Sequence, residues 1–187
     1  IVDQKELFPQ DHPYTTGTTR VLVEHFAELT SELAAPLSPG DVVVDIGAND
    51  GTLLSGYPET LVRVGIEPTG QVDKIPNKGI HAWQAYFSHG IAEKILDAYG
   101  PAKVITATNV LAHVPDPHDF MEGVEYLLDV DGVFVTENQF LGIITDGLQF
   151  DTVYHEHLRY YSAESLTRLI GMHGFQVEQI KPIEIHG

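Results

Sequence analysis

Cysteine is absent from this chain of 187 residues, and basic residues are few. The first absence excludes disulfide bonds, thiolate nucleophiles and cysteine-ligated zinc. Ten lysine and arginine residues stand against 27 aspartate and glutamate residues, which gives a formal net charge of −17. Because nucleic-acid phosphates are bound by clustered basic side chains, we expect no nucleic-acid partner.

Long apolar runs are also missing, and no stretch has the length that crosses a membrane. The first residues, IVDQKELFPQD, lack the charge and apolar core of a signal peptide. Apolar residues still make up 43% of the chain, enough for a folded core, so we expect one soluble, cytoplasmic domain over 1–187. Because the chain starts without Met and stops within a strand-like run, we expect a piece of a longer protein.

The stretch DVVVDIGANDGT at 41–52 predicts a buried strand followed by a tight turn. Its apolar, largely β-branched run favours a strand covered on both faces. Asp45 lies near the end of that run, and Gly47 and Gly51 bracket the turn. Glycine allows left-handed dihedrals and a close approach to a ligand. A bound cofactor explains this pattern best; the alternative is an ordinary turn between a strand and a helix.

The turn differs from the dinucleotide-binding pattern G-x-G-x-x-G, because Asn49 stands where a second glycine would be. It resembles instead the first motif of class I S-adenosylmethionine-dependent methyltransferases, an acid followed by alternating glycines. Asn tolerates a left-handed backbone better than most residues. The resemblance implies S-adenosyl-L-methionine as the cofactor, with Asp45, Gly47, Asn49 and Gly51 around its amino-acid end.

Strands and helices alternate along the chain, which predicts an α/β fold with one doubly wound, Rossmann-like parallel sheet. Further strands are predicted at 62–66, 79–83, 104–107, 133–136, after a turn at 129–132, and 175–180. Helices are predicted at 21–33, from 53, and at 88–99, 117–128 and 162–173. A methyltransferase sheet has a seventh, antiparallel strand, so we expect the sheet to be incomplete at the C-terminus. We divide the chain into an arm and lid helix (1–40), a cofactor-binding core (41–138) and a substrate and catalytic segment with the last strand (139–187).

Two positions after the glycine turn are expected to complete the cofactor site. Glu67 follows the second strand, 22 residues after Asp45, where a doubly wound fold hydrogen-bonds a ribose diol. Methyltransferases commonly place an acid near residue 85 to bind the adenine amine, but Ala85 fills that position. We expect Gln84, Tyr86 or Phe87 to contact the adenine instead.

Asn109 and His113 follow the fourth strand, at the sheet edge where open α/β folds bind ligands. If the chain turns helically there, their spacing of four places both side chains on one face. The alternative is a histidine with a purely structural role.

The stretch from 140 to 162 loses its periodicity and concentrates Tyr154, His155, Glu156, His157 and Tyr160. A metal site fits poorly, because the zinc-protease spacing of two histidines is absent. General acid–base chemistry fits better, since imidazole titrates near neutrality, an adjacent carboxylate can fix its tautomer and tyrosine hydroxyls can stabilise an oxyanion. The third interpretation is a polar loop whose histidines satisfy backbone groups.

Three segments together resemble the sugar C-methyltransferases of deoxysugar biosynthesis, which alkylate a carbon beside a ketone in a nucleotide-linked sugar. The segments are HPYTTGTTRVLVEHF at 12–26, DIGANDGTLL at 45–54 with NVLAHVP at 109–115, and FDTVYHEHLRYYS at 150–162. The resemblance implies His157 as the base that forms an enolate, Glu156 as its neighbour, and Tyr14, Asn109 and His113 as groups facing the substrate. Asn109 also counts among our expected cofactor contacts, and Tyr154 and Tyr160 among the substrate contacts.

The same resemblance implies that no metal ion is required, because the cofactor supplies the electrophile. Relatives of this kind carry a zinc-binding module before the arm and a further domain after the sheet, and this chain has neither. Two alternatives stay open: an O- or N-methyltransferase for another small molecule, and a cofactor-binding domain without catalysis.

Overall fold

Five parallel strands form a single sheet in the order β3-β2-β1-β4-β5. The computed structural model describes residues 3–183, except the side chains of Gln4 and Phe150. The strands are β1 Val42–Ile46, β2 Val62–Ile66, β3 Ile80–Trp83, β4 Ala102–Thr108 and β5 Leu128–Glu137. The chain winds outward from β1 to β3 and then restarts beside β1 with β4. The gap between β1 and β4 is therefore the switch point at which such sheets bind ligands.

Helices cover both faces of the sheet, which confirms the doubly wound fold. They are α1 Gln4–Leu7, α2 Arg20–Ala34, α3 Thr52–Ser55, α4 His89–Tyr99, α5 Pro117–Leu127, α6 Leu141–Asp146 and α7 Ala163–Met172. One core cluster joins the sheet to α4, α5 and α7 through residues such as Ile95, Phe120 and Leu169. The other joins it to α2 and α3 through Phe26 and Leu54. No helix between residues 3 and 183 is long and apolar enough to cross a membrane.

Side-chain caps determine where α5 and α7 begin. The Asp116 carboxylate accepts from the His118 and Asp119 amides at the start of α5. Ser162 and Ser165 exchange hydrogen bonds at the start of α7, the reciprocal arrangement in which Glu or Gln is more usual. Each such cap stabilises a helix by about 1 kcal/mol.

Two sequence predictions were wrong. Residues 175–180 form no strand in the part of the chain that the structure describes, because Val177 and Ile180 are exposed and only Phe175 packs, 6.4 Å from the Phe134 ring. The predicted turn at 129–132 lies inside β5 as an irregularity: Ala102 pairs with Leu128, whereas Val104 already pairs with Val133. The seventh strand was expected only after the end of this sequence, so the described residues do not test it.

Candidate functional site

A cavity of about 780 Å³ opens at the carboxyl ends of β1, β2 and β4. Its walls come from the glycine turn, the N-terminal residues 8–16, the loop after β4 and the segment before α7. Most of the predicted site residues line it: Tyr14, Asp45, Gly47, Asn49, Glu67, Tyr86, Phe87, Asn109, His113, Tyr154, Glu156 and His157. Gly51 and Tyr160 lie outside this lining. Gly51 instead provides the left-handed residue (φ 76°) before α3.

The Asp45 carboxyl group lies at the bottom of the cavity and is 2% exposed. Burial raises its pKa to about 7, and the nearby carboxylates of Glu67 and Glu137 add to this effect. The Thr106 hydroxyl donates to Asp45 Oδ1 over 2.6 Å, which partly opposes the rise. Asp45 is therefore close to half-ionised at neutral pH.

Gly47 lines the cavity, and the turn has no room there for a side chain. Its φ is +76°, and a Cβ there would lie 2.7 Å from the Val110 side chain. Its amide and that of Ala48 donate to the Ile66 carbonyl over 2.8 and 3.0 Å. These bonds tie the turn to the end of β2, so that the turn and Glu67 hold a fixed relative position.

Glu67 is 5% exposed and already engaged by the protein. Its Oε2 accepts from the Asn49 amide over 2.9 Å. Its Oε1 accepts from the Thr69 amide and hydroxyl over 2.8 and 2.7 Å. Since each carboxylate oxygen has two lone pairs, Glu67 keeps capacity to accept from a ligand hydroxyl.

The predicted adenine side of the cavity combines small and aromatic side chains. Ala85, Tyr86 and Phe87 all line it. The Tyr86 hydroxyl donates to the Phe8 carbonyl over 3.0 Å. Gln84 lies outside the lining, and its amide donates to Gln10 Oε1 over 2.9 Å.

Two of the three cavity histidines, His113 and His157, have defined tautomers, because each Nδ1 faces a carbonyl oxygen. His113 Nδ1 lies 2.7 Å from the Glu156 carbonyl, and His157 Nδ1 lies 2.9 Å from the Thr152 carbonyl. A carbonyl can only accept, so both Nδ1 atoms carry the proton and both Nε2 atoms keep a lone pair in the neutral ring. The ring centroids are 4.9 Å apart. Burial lowers the pKa of His113, which keeps its imidazole neutral.

The remaining residues of the segment divide between the cavity and its support. The half-buried Tyr154 ring lies 4.3 Å from the His157 ring and lines the cavity. The Tyr160 hydroxyl donates over 3.0 Å to the same Thr152 carbonyl that orients His157. His155 is exposed. Within the described residues, no three His, Asp or Glu side chains are grouped so as to hold a metal ion.

Asn109 and Tyr14 both line the cavity. Asn109 has φ 56°, and its amide donates to the Glu137 carbonyl over 2.8 Å. The residues 111–113 then form a short 3-10 turn rather than an α-helical turn. The Tyr14 ring is half-exposed on the N-terminal segment, and burial raises the pKa of its hydroxyl.

Sequence reasoning missed three contributors to this region. His25 Nε2 of α2 contacts Glu137 Oε1 at the end of β5 over 2.6 Å, with both side chains largely buried. The Arg159 guanidinium donates to the Val114 and Pro115 carbonyls. His12 lines the cavity together with His113. Of these contributors, the contact between His25 and Glu137 had one local signal in the sequence, the position of Glu137 at the end of a predicted strand.

Comparison with known proteins identifies the family. A profile described as a methyltransferase domain matches residues 20–180. The chain belongs to the S-adenosylmethionine-dependent methyltransferases. This confirms the family and the cofactor expected from the glycine turn.

Individual relatives agree with this assignment. The C-methyltransferase NovU of Streptomyces niveus is 31% identical over 191 residues, which cover 100% of this chain and 45% of that protein. The methyltransferase domain thus spans about half the length of this curated relative. The YcgJ protein of Bacillus subtilis has a similar fold, with a TM-score of 0.62 at 15% identity over 80% of this chain and 68% of that one. Geranyl diphosphate C-methyltransferase of Streptomyces coelicolor A3(2), solved with S-adenosyl-L-homocysteine, gives 0.59 at 15% identity over 82% and 60%.

Proposed function

We propose that this domain transfers a methyl group to a carbon beside a ketone in a nucleotide-linked keto-deoxysugar, through an enolate formed by His157. The observation that carries the proposal is the hydrogen bond from His157 Nδ1 to the Thr152 carbonyl. It leaves Nε2 as a base in a cavity lined by tyrosine and carboxylate side chains. The relationship to NovU, named a C-methyltransferase, supports carbon as the acceptor atom. The proposal keeps the expectation of a cytoplasmic enzyme with a small-molecule acceptor.

The residues at the β1–β2 end of the cavity suit the cofactor. Glu67 would accept from the ribose hydroxyls, and Asp45 would face the ammonium group of the amino-acid end. Gly47 lines the cavity without a side chain, so this end could approach its backbone closely. Tyr86 and Phe87 would pack on the adenine. When bound, S-adenosylmethionine supplies an electrophilic methyl group on a sulfonium sulfur.

The acceptor chemistry then follows from the tautomers of the two histidines. Carbon becomes nucleophilic when His157 Nε2 removes the proton next to the carbonyl, and the electron pair of that C–H bond moves into the enolate. His113 carries its proton on Nδ1, bound to the Glu156 carbonyl, so its Nε2 can only accept, for example from a sugar hydroxyl. We assign the Tyr14 hydroxyl, which also lines the cavity, as the donor to the enolate oxygen. The proton would stay on His157 while the enolate carbon takes the methyl group, and the electron pair of the sulfur–methyl bond would remain on the sulfur of S-adenosylhomocysteine.

A pair of histidine variants tests the base. His157→Asn keeps a polar side chain but removes the basic nitrogen, and His155→Asn makes the same change at the exposed neighbour. With a nucleotide-linked 4-keto-deoxysugar, we expect His157→Asn to reduce methyl transfer by about a hundredfold or more. Affinity for S-adenosyl-L-homocysteine should stay within a few-fold of wild type, and His155→Asn should behave like wild type.

Two readouts decide the result. Proton exchange at the acceptor carbon in deuterium oxide reports base action without methyl transfer and should be lost in His157→Asn. Carbon NMR of the product should show a new carbon–carbon bond. Near-normal turnover in His157→Asn would reject the base assignment, and a product methylated on oxygen or nitrogen would reject C-methylation.

A further inference from the structure

The glycine turn carries two polar side chains, Asn49 and Asp50, that bind a different part of the chain. Residues 8–17, here called the arm, run along the edge of the cavity and include Tyr14. Three hydrogen bonds join the arm backbone to these two side chains, across more than 30 residues of sequence. The turn that shapes the cofactor site therefore also holds the arm.

Asn49 is bound to Glu67 through its backbone and to the arm through its side chain. Its backbone amide donates to Glu67 Oε2 over 2.9 Å. Its side chain faces the arm, where Oδ1 accepts from the Thr16 amide over 2.9 Å and Nδ2 donates to the Tyr14 carbonyl over 3.1 Å. A glycine at this position, with its φ of 49°, would keep the backbone bond and lose both arm bonds.

Asp50 fixes the arm one residue further along. Its Oδ2 accepts from the Gly17 amide over 2.9 Å. Its Oδ1 accepts from the Thr52 hydroxyl over 2.6 Å, which orients the carboxylate. A Cβ at Gly17 would lie 2.7 Å from Asp50 Oδ2 and 2.9 Å from Thr52 Oγ1, so the contact requires glycine in the arm.

A second path leads from Glu67 to the arm. Thr69 donates to Glu67 Oε1, and the Thr69 hydroxyl accepts from the Gln71 amide over 3.2 Å. The Gln71 side chain donates to the His12 carbonyl over 2.6 Å and accepts from the Thr15 hydroxyl over 3.1 Å. Both carboxylate oxygens of Glu67 are thus connected to the arm through short chains of hydrogen bonds.

We propose that Asn49 and Asp50 are positioning residues for Tyr14. They hold the arm in one register across the cavity, so that the Tyr14 hydroxyl meets the acceptor while the cofactor binds to the other side of the same turn. The role of Tyr14 rests on the proposed function, whereas the attachment of the arm rests on the contacts above. Asn49 stands where the motif more commonly has glycine, and its side chain is what holds the arm.

The attachment of the arm to the glycine turn is tested without an acceptor, by amide exchange and by binding of S-adenosyl-L-homocysteine. Asn49→Gly restores the common motif, and Asn77→Gly makes the same change at an exposed turn residue. In amide exchange followed by NMR on the full chain, the Thr16 amide should exchange at least about tenfold faster in Asn49→Gly, because it loses its acceptor. Asn77→Gly should leave it unchanged. Asn77→Gly should also bind S-adenosyl-L-homocysteine within a few-fold of wild type.

Gly17→Ala provides a second variant that leaves the turn intact. The added methyl group clashes with the Asp50 carboxylate, so exchange of the Thr16 and Gly17 amides should again accelerate. If Thr16 exchange stays at the wild-type rate in both Asn49→Gly and Gly17→Ala, the arm is held by other contacts and the proposal is wrong. This result needs no acceptor, so it is independent of the sugar assignment.

A double-mutant cycle tests the link to Tyr14 with the keto-deoxysugar acceptor. Asn49→Gly should lower kcat about 10- to 100-fold, since misplacement by about 1 Å has effects of that size. In a Tyr14→Phe background the same change should have little further effect, because the hydroxyl it positions is gone. Equal losses in both backgrounds would show that Asn49 does not act through Tyr14. Absence of any methyl transfer by wild type would count against the acceptor alone.

Discussion

The Asp45 carboxyl group shows how the burial of one residue sets a pH dependence. Its pKa of about 7 in the folded chain, raised by burial, lies well above the value of about 3.9 for an exposed aspartate. Between these two values the folded state holds a proton that the unfolded state has released. The contribution of Asp45 to stability is therefore complete below about pH 4, falls as the pH rises, and is lost above about pH 7.

The matched variant Asp45→Asn removes this titration and keeps an oxygen that accepts from Thr106. We expect the free energy of unfolding of the variant minus that of wild type to increase as the pH rises from 4 to 7, by up to about 1.4 kcal/mol per pH unit. Urea unfolding at pH 5, 6, 7 and 8 measures this difference. All other ionisable groups are the same in the two proteins, so their contributions to the difference cancel. Parallel pH profiles for the two proteins would contradict the raised pKa.

At the scale of elements, the segment 150–162, which contains the proposed base His157, is attached to the loop after β4 by hydrogen bonds. The Leu158 amide donates to the Ala112 carbonyl over 2.9 Å. The Glu156 carbonyl binds His113, and the Arg159 guanidinium binds two carbonyls of the next residues in the loop. These contacts place the His157 ring beside His113, so the spacing of the two imidazoles depends on them.

Arg159 is the side chain in this attachment that can be changed without altering the cavity lining. Arg159→Met should lower the free energy of unfolding by about 1 to 3 kcal/mol, the range for hydrogen bonds to a charged group, and toward the lower end because the site is partly exposed. Methyl transfer should fall while affinity for S-adenosyl-L-homocysteine holds. Arg159→Lys should lie between, since one ammonium cannot span two carbonyls as a guanidinium does.

Arg168→Met on the exposed face of α7 is the control for loss of one positive charge. It should leave both stability and turnover near wild type. If Arg159→Met matches this control in urea unfolding and in turnover, Arg159 does not secure the segment.

The elements that the sequence predicted well are those determined by neighbouring residues. The helix expected at 21–33 is α2 Arg20–Ala34, because its apolar spacing and Pro36 are local signals. The strand at 42–46 is buried at every position, as its apolar run indicated. The strand predicted at 175–180 does not form. Alternating apolar residues predict a strand only where one face of it packs on a sheet, and Val177 is exposed instead.

The parts of the site that were missed depend on residues far apart in sequence. His25 and Glu137 are 112 residues apart, and Asn49 and Thr16 are 33 apart. Residue type and spacing placed Asp45, Glu67 and His113 at the sheet edge, because parallel strands bring their carboxyl ends together. The density of polar residues and the family resemblance, rather than a strand end, marked His157. They could not show that the Thr152 carbonyl, rather than the Glu156 carboxylate, orients the His157 ring.

At the scale of the whole molecule, the charge of −17 favours a cationic ligand. The cavity itself has acidic lining residues, which make the electrostatic potential there more negative: Asp45, Glu67, Asp116, Asp119 and Glu156. Over residues 3–183, neither lysine nor arginine is found among the lining residues. S-adenosylmethionine carries a sulfonium charge that the product S-adenosylhomocysteine lacks. The field should therefore favour the substrate form of the cofactor and assist release of the product.

The two cofactor forms are a matched pair for testing this field. Salt shortens the Debye length from about 30 Å at 0.01 M to about 3 Å at 1 M, so it screens the distant carboxylates before the contacts in the cavity. Between 0.02 and 0.5 M sodium chloride, roughly the span of that screening, we expect calorimetry to show the Kd of S-adenosylmethionine rising several-fold. The Kd of S-adenosylhomocysteine should change much less. A long-range field would distinguish S-adenosylmethionine from S-adenosylhomocysteine only through the sulfonium charge. Equal changes in the Kd of both ligands would therefore mean that only contacts within the cavity distinguish them.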